Sequence, residues 1–269
     1  PALDVLHDRR VAVLPHLGVA VMAVSDRWVN TILPGDYTLR HLGHVFQSRD
    51  TYQSIYNSLR YAGLATAVDL ALGGSIVWLA LRTRVRGRQA LDALAMLPLA
   101  IPGLILAAGY VALTVRGSPL AAIGPTRNPF LLIVIAYAVR RLPLVVRGVS
   151  AGVLQVPASL EEAARNLGAS RARTAWRITL PLILPSLIAA TVLTFSFAIL
   201  EVSDSLILAQ VQSDYPITKQ IYTLAASTGS PDAINMAAAL GVYGMLLLGA
   251  TLALASILLG KRLGAVFRA

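Results

Sequence analysis

The 269-residue sequence contains no cysteine. Disulfides, thiolate metal sites and a cysteine nucleophile are thereby excluded. Charged residues are also scarce, at 13%, about half the roughly 25% of an ordinary soluble domain. Four histidines, His7, His16, His41 and His44, form no HExxH zinc motif. His41 and His44, spaced i, i+3, read as an exposed loop pair rather than a metal site. A phosphate-binding GxxxxGK[ST] loop is missing, because Gly260-Lys261 has neither the preceding Gly nor the following Ser or Thr. Any ATP hydrolysis must come from another chain. No internal inverted repeat is visible, which argues against an ion-coupled secondary transporter.

Apolar residues, by contrast, make up 56% of the chain, and the mean hydropathy is +0.68. So few charges could not cover so much apolar surface in water. The composition reads as an all-α, polytopic membrane protein, since only helices satisfy their own backbone in lipid over runs this long. Six spans are expected, at roughly Arg10–Ser25, Ile55–Leu81, Ala93–Val115, Phe130–Val146, Leu182–Ala209 and Ala233–Gly260. The net charge of +10 does not point to nucleic acid, because the basic residues interrupt apolar runs. With a cytoplasmic N-terminus, 16 Lys and Arg fall on inner segments and 7 on outer ones, so the positive-inside rule supports N-in, C-in. The segment Trp28–Ser54 reads as an external connection with a short interfacial helix. Pro98 and Pro102-Gly103 should kink or break the third span. Because Pro1 rather than Met opens the sequence, a processed chain or one half of a longer polypeptide is expected.

The inner segment Arg147–Thr179 is the most informative. Ser159 and Glu162 have capping-box spacing, which predicts a helix start. Gly168 suits a left-handed stop, and Ser170 is placed to cap a second short helix, Arg171–Ile178. Ala163, Ala164 and Leu167 are expected along one side. The string Glu162-Ala163-Ala164, Gly168, Ile178 and Leu180-Pro181 matches EAA-x3-G-x9-I-x-LP at all seven fixed positions across twenty residues.

This spacing resembles the EAA motif of the membrane subunits of binding-protein-dependent ABC importers, the MetI-like permeases. The resemblance implies a single permease domain, 1–269. Its loop at about 147–180 would be a coupling helix docking on a dimer of ABC ATPase subunits. ATP and Mg would be bound by the ATPases and no cofactor by this chain. It also implies a second permease, or the second half of a fused one, and a periplasmic or lipid-anchored substrate-binding protein. The setting would be the bacterial inner membrane, with its lipids. In overall texture the sequence is similar to one half of the fused ferric-iron and polyamine-type permeases, where Asn57-Ser58 opens the second span.

Three acids fall in or near spans: Asp69, Glu201 and Asp204. Asp69 reads as a packing residue. Glu201, Asp204 and Ser205 are spaced to share one face of the fifth span, which fits a translocation pathway and a cationic solute such as ferric iron; Asn57 and Ser58 are candidates for the same pathway. The alternative is neutralisation by a fixed basic group, which would make the pair structural. An intramembrane enzyme using Asp69, or Glu201 with Asp204, is the rival reading. It would turn over without a partner ATPase.

Overall fold

The computed structural model describes residues 2–26, 28, 31–227, 230 and 232–266. Arg27 and Arg268, counted in the charge bias above, lie outside them. Among the described residues the fold is all-α, with a lone bridge between Ser25 and Tyr37 as the one β-type pairing. The helices are α1 Ala2–Val24, α2 Arg40–Gln47, α3 Arg49–Arg82, α4 Arg88–Met96, α5 Gly103–Leu113, α6 Phe130–Gln155, α7 Ala158–Asn166, α8 Arg171–Thr174, α9 Leu180–Ile199, α10 Ser203–Leu208, α11 Ile217–Ala225 and α12 Ala233–Val266.

Among the described residues, three helical stretches are long and apolar enough to cross a bilayer: Arg49–Arg82, Arg171–Ile199 and Ala233–Leu254. The third expected span is broken. Its halves, Arg88–Leu99 and Gly103–Leu113, are bent by 105°. Pro102 has no N–H to continue the first half, and its fixed φ of −57° starts the second. The helix at the fourth expected span, α6, is longer than expected and is not one of those three. It runs to Gln155 and carries Arg140, Arg141 and Arg147 within a single helix. The fifth stops at Ile199 rather than Ala209, and α10 follows after a break. In the first, the apolar stretch is Val13–Val24.

Two compact units divide the chain. One is Pro1–Ser58 with Ala209–Gly249, the other Leu59–Leu208 with Ala250–Ala269. In the first, Ala23, Val45, Ile217, Ala239 and Leu240 form the core. Asn235 Nδ2 donates to Met22 O at 3.0 Å and Ser25 O at 2.9 Å, satisfying carbonyls at the end of α1. The expected interfacial helix is α2, on which His41 is buried and His44 exposed.

The second unit is built on the packing of α6 against α9. Val145, Val146, Val149 and Val153 of α6 meet Ile183 and Ala190 of α9. Gly148 and Gly152, four residues apart, let the backbones approach. A β-carbon at 148 would lie 2.7 Å from Ala190 Cβ, and one at 152 would lie 2.7 Å from Ser186 Cβ. Small residues at this spacing are how membrane helices gain packing contact without a hydrophobic driving force.

Candidate functional site

The EAA segment folds into α7, a kinked turn and α8. The expected capping box does not form. Pro157, not Ser159, is the N-cap residue, and Ser159 lies exposed inside the first turn. Proline fixes φ at −61° there, so the chain enters the helix two residues earlier than a cap at Ser159 would allow. The C-terminal end follows expectation. Gly168 takes φ +85°. Its N–H donates to Arg165 O at 2.9 Å and the Ala169 N–H to Ala164 O at 3.0 Å, the paired bonds of a Schellman motif. Ser170 Oγ then accepts from Arg173 N at 3.3 Å and caps α8.

The second helix does not stop before Leu180-Pro181. A π-helical turn, Ala175–Thr179, joins α8 to α9 without a break. Leu180 N bonds to Ala175 O, five residues back. This wide turn comes just before Pro181, which cannot donate to the carbonyl four residues behind it. Ile178 and Leu180 are half-buried, Leu180 against the α6–α9 core, and Pro181 is exposed.

Within α7 the faces differ from the expected single apolar side. Ala164 is buried, whereas Ala163 and Leu167 are exposed, Leu167 to 90%. The first glutamate points inward. Glu161 Oε1 accepts from Arg82 Nε at 2.9 Å and from Thr179 Oγ1 at 2.9 Å. Arg82 Nη2 also donates to Val153 O at 3.1 Å, which accepts the Val156 N–H as well, and to Val156 O at 2.9 Å at the end of α6. α7 is thus fixed to the end of α3, the end of α6 and the π turn, all through one carboxylate. Glu162 is exposed. Sequence reading singled out Glu162 and missed Glu161, Arg82 and Thr179. The only available signal was the Glu161-Glu162 doublet, since helical neighbours 100° apart cannot both face water and core.

A second polar cluster lies where two helix breaks meet a cleft of about 490 Å³. The breaks are the one before α5 and the one between α9 and α10. Glu201 sits in the latter, before α10, so Glu201, Asp204 and Ser205 do not share the face of a continuous fifth-span helix. Glu201 Oε1 instead accepts from Asp204 N at 3.4 Å, and Ser205 Oγ donates to Glu201 O at 3.0 Å. Arg140 Nε lies 3.1 Å from Glu201 Oε2 and 3.8 Å from Asp204 Oδ2, and Arg141 Nη2 pairs with Glu201 Oε2. A β-carbon at position 103 would overlap the Arg140 guanidinium, so glycine opens α5 to make room for it.

Two expectations change here. Arg140 and Arg141 are not loop charges but half-buried partners of the acids; without them the basic bias is still 14 to 7. The two carboxylates face two guanidiniums, so the acid pair gives no reason to prefer a cationic solute. Asp69 is fully buried, and neither carboxyl oxygen has a hydrogen-bond partner among the described residues.

Asn57 and Ser58 make their contacts in the other unit. Asn57 Nδ2 donates to Ser213 O at 2.7 Å and Tyr215 O at 3.1 Å, and Ser58 Oγ accepts from Ile217 N at 2.8 Å. They anchor the connection into α11 and satisfy its first N–H. Among the described residues, no group of three or more His, Asp or Glu side chains could hold a metal.

Comparison with known proteins agrees with this architecture. The chain is 32% identical over 156 residues to the ferric transport system permease protein FbpB of Actinobacillus pleuropneumoniae, covering 58% of this chain and 22% of that protein. It is 36% identical over 154 residues to the molybdenum transport system permease protein ModB of Escherichia coli (strain K12), covering 54% of this chain and 66% of that one. The chain therefore spans less than two thirds of either relative. In fold it is similar to a chain of a bacterial ABC transporter involved in the import of the acidic polysaccharide alginate. That match has a TM-score of 0.76 and 18% identity, over 97% of this chain and 95% of the other. Residues 72–267 match the sequence profile of the binding-protein-dependent transport system inner membrane components, and the chain belongs to that family.

Proposed function

We propose that the chain is the permease subunit of an ABC importer, passing a solute from an extracytoplasmic binding protein across the inner membrane. A dimer of ATPase subunits, holding ATP and Mg, drives it, and a second permease or permease half completes the path. The observation that carries this reading is α7. It is a short helix with an exposed glutamate at 162, and it is locked to three other elements through Glu161. Such a helix can pass a push from an ATPase into α3, α6 and α9 without bending first. Glu162 accepts charge-assisted bonds from a basic group of the ATPase, and exposed Ala163 permits close approach. Ala164, Gly168, Ile178, Leu180 and Pro181 hold the helix, its turn and its junction with α9.

In this reading both chain ends and the loops around Arg86 and α7 are cytoplasmic. The cleft between the two helix breaks belongs to the translocation path. Glu201 and Asp204, neutralised by Arg140 and Arg141, brace its wall together with Ser205, while Asn57 and Ser58 hold the entry to α11. The relatives named above carry ferric and molybdenum designations, so similarity alone favours neither charge of solute. The test is reconstitution. Vesicles holding the permease, its ATPase and its binding protein take up solute only with ATP, and omission of the ATPase abolishes uptake. Uptake by the permease alone would point to a secondary transporter, and chemical turnover of a substrate to an enzyme.

A further inference from the structure

We propose that the second unit carries a binding site for one anionic glycerophospholipid, with the acyl chain in an apolar groove and the phosphate on two unpaired arginines. The inference rests on α3 and the Arg171–Ile199 helix crossing a bilayer, and not on the coupling role of α7.

Two cavities adjoin at Trp78, which lines both. One is an apolar groove of about 280 Å³ between α3, α6 and the π turn, with Leu70, Gly74 and Trp78 along α3 and Leu187, Ile183 and Trp176 along the facing helix. The other, of about 510 Å³, continues past Trp78 to Arg82 and Arg84 on one side and Thr174 and Arg171 on the other. Both helices therefore run from apolar to basic lining in the same direction. From Leu70 to Trp78 is roughly 12 Å, and to Arg82 roughly 18 Å, at about 1.5 Å per residue. One leaflet contributes about half of the roughly 30 Å hydrocarbon core, so the groove has the length of a leaflet and the arginines lie at headgroup depth. Trp78 and Trp176 occupy the boundary, where indole rings settle.

The charges select the headgroup. Arg82 is spent on Glu161, and Arg165 Nε bonds to Glu161 O at 3.2 Å. The side chains of Arg84 and Arg171 are exposed and make no hydrogen bond or ion pair among the described residues. Against exposed Glu162, the pocket keeps an excess of positive charge, and a phosphodiester supplies the complementary acceptor. A zwitterionic lipid would bring its own cation beside them and bind less well. On the groove side, a β-carbon at Gly74 meets nothing within 4 Å. The missing side chain leaves room that a lipid tail fills.

The test uses the assembled transporter in liposomes, and the signal is the quenching that disappears in a Trp78→Phe, Trp176→Phe control, which isolates these two indoles from every other tryptophan of the complex. Brominated phosphatidylglycerol should quench them at a mole fraction on the order of tenfold lower than brominated phosphatidylcholine with the same chains. Arg84→Gln with Arg171→Gln should erase that preference. Gly74→Leu, which fills open space, should reduce quenching by both lipids. Equal quenching by the two lipids in the starting protein overturns the proposal, as does a preference that survives Arg84→Gln with Arg171→Gln, or quenching that Gly74→Leu leaves undiminished. If Gly74→Leu separates the permease pair instead, the groove is a protein interface and the lipid site does not exist. ATP-driven uptake measured in parallel keeps the two readings apart: normal coupling without a lipid preference rejects this site alone.

Discussion

Arg82, the last residue of α3, donates to the Glu161 carboxylate of α7 at 2.9 Å, and both side chains are less than 15% exposed. Removing one partner of a buried pair leaves the other charge uncompensated, at a cost of about 3–5 kcal/mol. Arg82→Ala also removes the guanidinium donor from Val156 O and one of the two donors on Val153 O. We expect a clear fall in thermal stability, and ATP hydrolysis that no longer tracks uptake in whatever assembles. Arg82→Lys should recover part of both, since one ammonium cannot reproduce the fork that reaches Glu161 and two carbonyls. Unchanged melting and coupling in Arg82→Ala would show that the knot carries nothing.

Gly168 allows a sharper test of the turn. An L-residue in the left-handed region costs roughly 1–2 kcal/mol, and a β-branched one more. Gly168→Val should misdirect the entry to α8 and abolish uptake, while Gly168→Asn, which tolerates that region, should retain most of it. Co-purification of the ATPase reports which step is lost. Equal behaviour of the two variants would contradict a role for the positive φ.

Glu201 and Asp204 distinguish bracing from a simple charged lining. Glu201→Gln with Asp204→Asn leaves the half-buried guanidiniums of Arg140 and Arg141 without counter-charge. The expected result is loss of folded complex, read by size-exclusion recovery, rather than a well-assembled transporter with altered uptake. Adding Arg140→Gln and Arg141→Gln to the pair should restore much of the assembly, because a neutral buried cluster is far less costly than an unpaired charge. A stable double variant without the compensating changes would refute the bracing role.

Topology is directly accessible because the chain has no cysteine of its own. Arg86→Cys and Arg127→Cys occupy exposed positions. In intact cells, an impermeant thiol reagent should label position 127 and leave position 86 unmodified until the membrane is opened. Labelling in the reverse order would invert the orientation drawn from the basic bias.

The all-helical membrane class was legible because lipid leaves the backbone few options, and long apolar runs announce themselves. The third-span break was legible in part, through Pro102 and its missing donor. The end of the fifth helix was not. Glu201, Asp204 and Ser205 fit helical spacing, and the residues that draw Glu201 out of the helix, Arg140 and Arg141, lie some sixty positions away. Local pattern cannot see that partnership. The same holds for Glu161, whose partners Arg82 and Thr179 come from other helices, whereas Gly168 and Ser170 act on their own neighbours and could be read from sequence.

Glu162 offers the most direct measurement of the central claim. Its side chain is exposed, so Glu162→Lys should leave the permease as stable as the parent. In reconstituted vesicles with ATPase and binding protein, the expected result is loss of ATP-driven uptake and weakened ATPase co-purification at unchanged melting temperature. Full uptake by Glu162→Lys, with the ATPase bound as before, would contradict the assignment of α7 as the element that couples ATP hydrolysis to transport.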